Sequence, residues 1–336
     1  MSRAEPVRLG ILGTADINRK LLAGARETTA ISVIAVGSRT AERAREFAAA
    51  HGIGRLHDSY EGLLADPEVE AVYIPLPNSL HHPWTLRALA AGKHVLCEKP
   101  YSRIPAEVVE AFDAADRAGL VLMEAFMWRH SPQTLRLLEL LPEIGELRVI
   151  HASFSFRLEE PGDIRLDPEL AGGSLMDVGC YCVSGARLLA GGEPERIHAE
   201  AAIGPTGVDL GMDGLLAFPG GAVAHVSSAF TTEDIRLDLI GTRGTITATE
   251  PWFPRRGLIL VDGREVWVDA GDPYGHELEN FAGAIRGTAL PRLGRADALG
   301  QARTIDALYR SAASGRAVTL GAVAPEAAPP RPPSAA

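Results

Sequence analysis

The chain has little of what builds covalent or metal-held scaffolds. Its 336 residues include only three cysteines, Cys97, Cys180 and Cys182. An odd, sparse set without a CxxC pair gives neither a disulfide framework nor a zinc site, so no metal is expected. Basic residues are in the minority: 33 Lys and Arg face 43 Asp and Glu, leaving a net charge of −10. No Lys/Arg run supplies a local patch, and nucleic acid is therefore not an expected partner. No apolar stretch is long enough to span a bilayer, which argues against a membrane protein. Residues 1–6 lack the basic and apolar regions of a signal peptide, and the expected location is cytoplasmic.

What remains is the composition of a soluble globular protein, 46% hydrophobic and 23% charged, with length for two separate cores. Short apolar runs occur at Val7–Leu12, Ile31–Val36, Ala71–Ile74, His94–Cys97 and Leu120–Met123. Helical patterns at Arg19–Arg26, Ala41–Ala50, His82–Ala91 and Ala106–Ala118 lie between them. This α/β rhythm predicts an N-terminal, Rossmann-like, doubly wound parallel sheet over residues 1–125. Past residue 145, strand-like runs follow one another at Leu147–Phe156, Arg196–Ile203, Gly214–Phe218, Ala222–Phe230, Arg236–Ile240 and Gly244–Ala248. A helix near Ser174–Leu189 interrupts them, and helices near His276–Ile285 and Ala296–Ala313 follow. Residues 126–321 thus read as an α+β domain with a mostly antiparallel sheet. The Pro/Ala-rich tail, 322–336, is expected to be disordered.

The first strand leads into GTADIN at residues 13–18, a degenerate G-x-G-x-x-G turn with Gly13, Ala15 and Asn18 at the three positions. Gly13 permits the tight turn, Ala15 lets backbone approach a pyrophosphate, and a helix beginning near Ile17 offers free N–H groups. Strand two ends in Ser38-Arg39 rather than the Asp or Glu that would accept from both ribose hydroxyls. A hydroxyl followed by a guanidinium can hold a 2′-phosphate, so NADP(H) is favoured, with NAD(H) as the alternative cofactor.

At GKHVLCEKP, residues 92–100, the chain resembles the Gfo/Idh/MocA oxidoreductase family, whose E-K-P motif matches Glu98-Lys99-Pro100. The stretches GTADIN (13–18), PNSLH (77–81) and GGSLMDVGCY (172–181) agree in order and spacing, and YGHELENF (274–281) is a weaker match. The resemblance implies a Rossmann domain and a second domain whose large open sheet forms the subunit interface of a homo-oligomer, dimer or tetramer. It implies that Lys99 lies beside the reacting carbon and the nicotinamide, orienting substrate and assisting proton transfer. Gly13, Thr14, Ala15, Asp16, Ile17, Ser38 and Arg39 would meet the phosphates and adenosine. Leu76, Pro77, Asn78, His81 and Glu98 would line the nicotinamide side. Trp128 and Arg129, in EAFMWR (124–129), would pass beneath the ring.

The helix near Ser174–Leu189 can be read from its residues alone. At 100° per residue, Leu175, Val178, Cys182, Ala186 and Leu189 form an apolar stripe. Asp177, Tyr181 and Ser184 fall opposite on a helix that looks buried nearly all round, and a substrate cleft would give such a polar row its partners. Many relatives place His where Tyr181 stands. The tyrosine form resembles the glucose–fructose oxidoreductase, dihydrodiol dehydrogenase and nucleotide-sugar ketoreductase branches. The expected mechanism has Tyr181 as acid/base, its pKa lowered by the Lys99 ammonium, Asp177 holding a substrate hydroxyl or orienting Lys99, and Arg165 touching substrate at the cleft mouth. The expected reaction moves a hydride between NADP(H) and a secondary alcohol or ketone, or C1, of a sugar-like substrate. An NAD-dependent sugar dehydrogenase, a redox-assisted glycosidase and a non-enzymatic NADP or sugar sensor are the alternatives.

Overall fold

The computed structural model describes residues 5–254, 257–269 and 271–321. The first half alternates β1 (Val7–Leu12), α1 (Asn18–Glu27), β2 (Ile31–Gly37), α2 (Ala41–His51), β3 (Arg55–His57), α3 (Tyr60–Leu64), β4 (Ala71–Ile74), α4 (Asn78–Ala90), β5 (His94–Glu98), α5 (Pro105–Ala118) and β6 (Leu122–Ala125). All strands pair in parallel, in the order β3-β2-β1-β4-β5-β6. The order reverses between β1 and β4, and a crevice opens there at the carboxyl ends of the strands. The strands are apolar on both faces because helices cover both: Val7, Leu9, Ile11, Val72, Ile74 and Val95 are all fully buried.

Two elements escaped the sequence reading, β3 and α3, because three half-exposed residues and a five-residue helix carry no periodic signal. The expected strand at Leu120–Met123 lies two residues later. Gly119 closes α5 in the left-handed region (φ 67°), and the Leu120 N–H bonds back to Ala115 O, so Leu120 belongs to the helix cap. Helix α4 begins at Asn78 rather than His82 and runs through Pro83.

After α6 (Pro132–Leu140) comes β7 (Leu147–Ser155), then a π-helical turn at Leu175–Gly179 that continues as α7 (Cys180–Ala190). Strands β8 (Arg196–Ile203), β9 (Asp209–Ala217), β10 (Val223–Ala229), β11 (Asp234–Gly241), β12 (Thr245–Ala248), β13 (Leu258–Val261) and β14 (Arg264–Trp267) follow, then α8 (Pro273–Ile285), α9 (Arg295–Ser314) and β15 (Val318–Thr319). They form one nine-stranded sheet, β14-β13-β12-β11-β7-β10-β9-β8-β15, antiparallel except where β10 meets β7. Strands β13, β14 and β15 extend it beyond the six runs read from sequence. One face, with Ile150, Ala152, Leu216, Leu237 and Leu239, is buried beneath the helices. The other presents the in-register row Asp238, His151, His225, Leu215 and His198. No helix among the described residues is long and apolar enough to cross a membrane. The expectation for the tail falls outside the described residues.

Candidate active site

The carboxyl ends of the parallel strands and the inner face of the nine-stranded sheet enclose a cleft of about 630 Å³. Its dinucleotide end is built by the β1–α1 turn. Gly13 adopts φ 106°, a backbone conformation that favours glycine, and a Cβ there would press on the Leu76 side chain at 3.2 Å. The Asn18 amide donates to Gly13 O at 3.0 Å and holds the turn from within. Ala15, Asp16 and Ile17 line the cleft, and Ile17 gives α1 no side-chain cap, which leaves its amino end available to an anion. Thr14 lies half-buried in the same turn.

At the end of β2, Ser38 is buried with its N–H on His57 O, while Arg39 is exposed. Arg39 and Arg43 both act on the Tyr60 hydroxyl, lowering a pKa that burial raises more. That hydroxyl lies 3.6 Å from where a Gly13 side chain would begin. Neither guanidinium forms an ion pair among the described residues. Arg43 and Tyr60 are additions that the sequence reading missed. The i, i+4 spacing of Arg39 and Arg43 was the available signal for the first, whereas Tyr60 is brought in by an unread helix. The chain's own groups thus fit a phosphorylated dinucleotide: a glycine turn, an uncapped helix end and two unpaired cations beside a phenol.

The chemical centre is Lys99. Its Nζ donates to Asp177 O at 2.6 Å, lies 3.7 Å from Asp177 Oδ1 and sits 4.9 Å from the Tyr181 ring centroid. Burial opposes the ammonium, but the Cys180, Asp177 and Glu98 side chains together outweigh it and raise the pKa. Cys180 is itself pushed up to about 12 by burial, so at neutral pH the two carboxylates hold the charge on Lys99. Glu98 accepts the Tyr73 hydroxyl, and burial raises its pKa. His81 braces the wall: its two ring nitrogens face Pro100 O at 3.0 Å and Leu76 O at 2.8 Å. Burial lowers its pKa to about 4, so the imidazole is neutral and donates to only one of the two carbonyls. Leu76, Pro77 and Asn78 line the same wall, and Asn78 ties it to the facing loop through Ala171 O at 2.9 Å.

Asp177 accepts Arg165 Nε at 2.7 Å, and Arg165 Nη1 reaches both Asp163 oxygens at 3.1 and 3.0 Å. Tyr181 lines the cleft with its ring edge-on to Phe126 and Phe154, and its hydroxyl makes no hydrogen bond among the described residues. Glu160, Phe253 and Tyr274 complete the wall; only Tyr274 was legible beforehand, through its weak motif match.

Three expectations are corrected. Lys99 does not draw Tyr181 toward the phenolate, because the ammonium faces the ring and burial among aromatic rings raises the phenol well above 10. Trp128 and Arg129 lie away from the cleft. Trp128 packs at 5.3 Å against Trp252, Arg129 Nη1 bonds Ser184 Oγ and Asp297 Oδ1, and Met127 faces the cleft in their place. The regular helix with one polar row is broken by the π turn, whose extra residue sends Asp177 and Tyr181 into the cleft but Ser184 to Arg129.

Together, a Rossmann sheet, an anion-ready turn and a lysine beside a free phenol define the class of dinucleotide-dependent oxidoreductases. Residues 7–126 match the oxidoreductase family with an NAD-binding Rossmann fold, and residues 140–247 match the GFO/IDH/MocA C-terminal domain. The chain is 43% identical to the NADP(+)-dependent D-xylose 1-dehydrogenase 2 of Haloferax volcanii, covering 93% of this chain and 99% of that protein. A 3-ketoreductase from Actinomadura kijaniata in complex with NADP and TDP-benzene superposes with a TM-score of 0.86 at 31% identity, covering 91% and 98% of the two chains. An aldose–aldose oxidoreductase from Caulobacter crescentus complexed with glycerol gives 0.86 at 29% identity, covering 94% and 100%. The chain belongs to the Gfo/Idh/MocA family of oxidoreductases.

Proposed function

We propose that the protein is an NADP(H)-dependent oxidoreductase of the alcohol or carbonyl carbon of an unphosphorylated sugar or vicinal diol. The observation that carries this is the pairing of Lys99, anchored on Asp177 O, with the unengaged Tyr181 hydroxyl in one cleft. The nicotinamide, when bound, supplies or accepts the hydride. The backbone of the turn at Gly13, Ala15 and Asp16 and the amino end of α1 would hold the pyrophosphate, and Ser38, Arg39, Arg43 and Tyr60 the 2′-phosphate. The Lys99 ammonium stabilises negative charge on the substrate oxygen. Tyr181, kept neutral by burial, gives that oxygen a proton in the reductive direction and is left as the phenolate, which takes the hydroxyl proton in the oxidative direction.

The charge of the wall selects the substrate class. Arg165, which could recognise a phosphate, is already engaged by Asp163 and Asp177, and Glu160 adds a further carboxylate. Carboxylates accept hydrogen bonds from neutral hydroxyls and repel phosphates, which favours the xylose and aldose relatives over the nucleotide-sugar reductases. The xylose dehydrogenase kinship also favours turnover over a purely sensing role. We further infer that two copies pair through the outer face of the nine-stranded sheet.

Titration of the purified protein with NADPH and NADH, followed by turnover on aldoses, vicinal diols, sugar phosphates and nucleotide sugars, tests the reading. Tighter NADPH binding and turnover confined to the unphosphorylated compounds are expected. Preference for NADH, or turnover of phosphorylated sugars alone, would overturn it.

A further inference from the structure

The π turn that carries Asp177 is itself held from behind by a residue outside the cleft. Asp209, at the start of β9, is 2% exposed. Its Oδ2 accepts Leu175 N at 2.7 Å and Ser174 Oγ at 2.8 Å, and its Oδ1 accepts the Tyr309 hydroxyl of α9 at 2.8 Å. Ser174 Oγ also contacts Ser228 Oγ on β10 at 3.0 Å. A carboxylate at this point satisfies an N–H that the helix cannot and complements its dipole. Gly173, at φ 118°, lets it approach: a Cβ there would fall 2.1 Å from Asp209 Oδ1. Gly173 and its neighbour Gly172 also fix the Arg165 loop, since Gly173 N donates to Arg165 O and Gly172 N to Asp167 O. Behind one residue, therefore, stand both the carbonyl that binds Lys99 Nζ and the carboxylate that binds Arg165.

We propose that Asp209 is a positioning residue for the reaction: by pinning the first turn before α7, it sets Asp177 against Lys99 and so orients the ammonium toward the substrate oxygen. It does not itself line the cleft and acts through Ser174, Leu175 and Gly173. Tyr309 holds the carboxylate in its rotamer from α9, which links the end of the chain to the site. The π turn explains why such a brace is needed. An added residue in a helix weakens its hydrogen-bond ladder, and an outside anchor decides which carbonyl faces the lysine. The proposal rests on the oxidoreductase reading above.

The chain has three lysines, Lys20, Lys93 and Lys99, so [ε-13C]lysine labelling gives three signals, and Lys99→Met identifies the one of interest. Asp209→Ala is expected to move the pH titration of Lys99 downward by on the order of one unit, because the ammonium loses its carboxylate partner. In turnover the same variant should lose roughly tenfold or more in kcat while NADPH binding stays within about threefold. Asp209→Asn keeps an oxygen for Leu175 N and Ser174 and turns its amide toward Tyr309, so it should restore both readouts nearly to wild type. Should Asp209→Ala not fold, Ser174→Ala removes one anchor alone and should shift the Lys99 titration in the same direction. A folded Asp209→Ala or Ser174→Ala protein with an unmoved Lys99 titration and unchanged kcat would overturn the proposal. The lysine titration needs no substrate, so wild-type protein without turnover would strike the functional reading and leave this test standing.

Discussion

Lys99 is held in place: it is half-buried, bonded to a carbonyl and flanked by Asp177 and Glu98. Lys99→Ala should lower turnover by about 10²–10³-fold, the cost of removing a preorganised charge from a developing oxyanion. NADPH affinity should change little, and fluorescence titration beside steady-state kinetics checks both. Arg39 and Arg43 carry a separate prediction. Replacing both by Ala should weaken NADPH by roughly tenfold or more and leave NADH nearly unchanged, since charge-assisted bonds to a 2′-phosphate are lost from one ligand only. Arg39 was legible because it follows Ser38 at the end of a strand. Arg43 and Tyr60 were not, because their meaning depends on the fold bringing Tyr60 of α3 near both guanidinium groups.

At the scale of elements, β6 carries a buried acid whose titration can be read in stability. Glu124 accepts Tyr101 N at 2.8 Å through one oxygen, the other has no hydrogen-bond partner among the described residues, and burial pushes its pKa up to about 7. The folded state therefore keeps a proton that the unfolded chain releases near pH 4.5. The stability this proton contributes is whole below that value and is lost as the pH rises to about 7. Glu124→Gln keeps the bond to Tyr101 without the charge. It should match wild type near pH 4 and exceed it by on the order of 1–3 kcal/mol at pH 8, as urea unfolding at the two pH values would show. The elements themselves were mostly legible. The bounds of β1, β4 and β8 are those of their apolar runs, whereas α7 is misread where it matters, because a π turn has no signature in hydrophobic spacing.

For the whole molecule, the decisive feature is a nine-stranded sheet with helices on one face and a row of mixed residues on the other. Leu215 on β9 is 42% exposed on that face, beside Asp213 and Glu200 of the next row. A stable pairing of two copies needs about 1,200–2,000 Å² of buried surface, which a face this wide can supply. Leu215→Glu would add a third acid and, across a two-fold axis, set it against its own copy. The mass by light scattering should fall to that of the single chain, with the far-ultraviolet circular dichroism unchanged. Wild-type protein already monomeric at the same concentration would remove the pairing.

The sequence by itself determined the parallel sheet, the mostly antiparallel sheet, the glycine turn after the first strand and the presence of Lys99, Asp177 and Tyr181. These follow from local periodicity and short motifs, in which the residues that report a feature are neighbours in the chain. Tertiary structure alone decided that Lys99 faces the ring of Tyr181, that Trp128 and Arg129 belong to the core, and that Asp209 stands behind the site. Those outcomes depend on burial and on contacts between residues tens to more than a hundred positions apart. Desolvation and packing of that kind arise only once the chain has closed on itself.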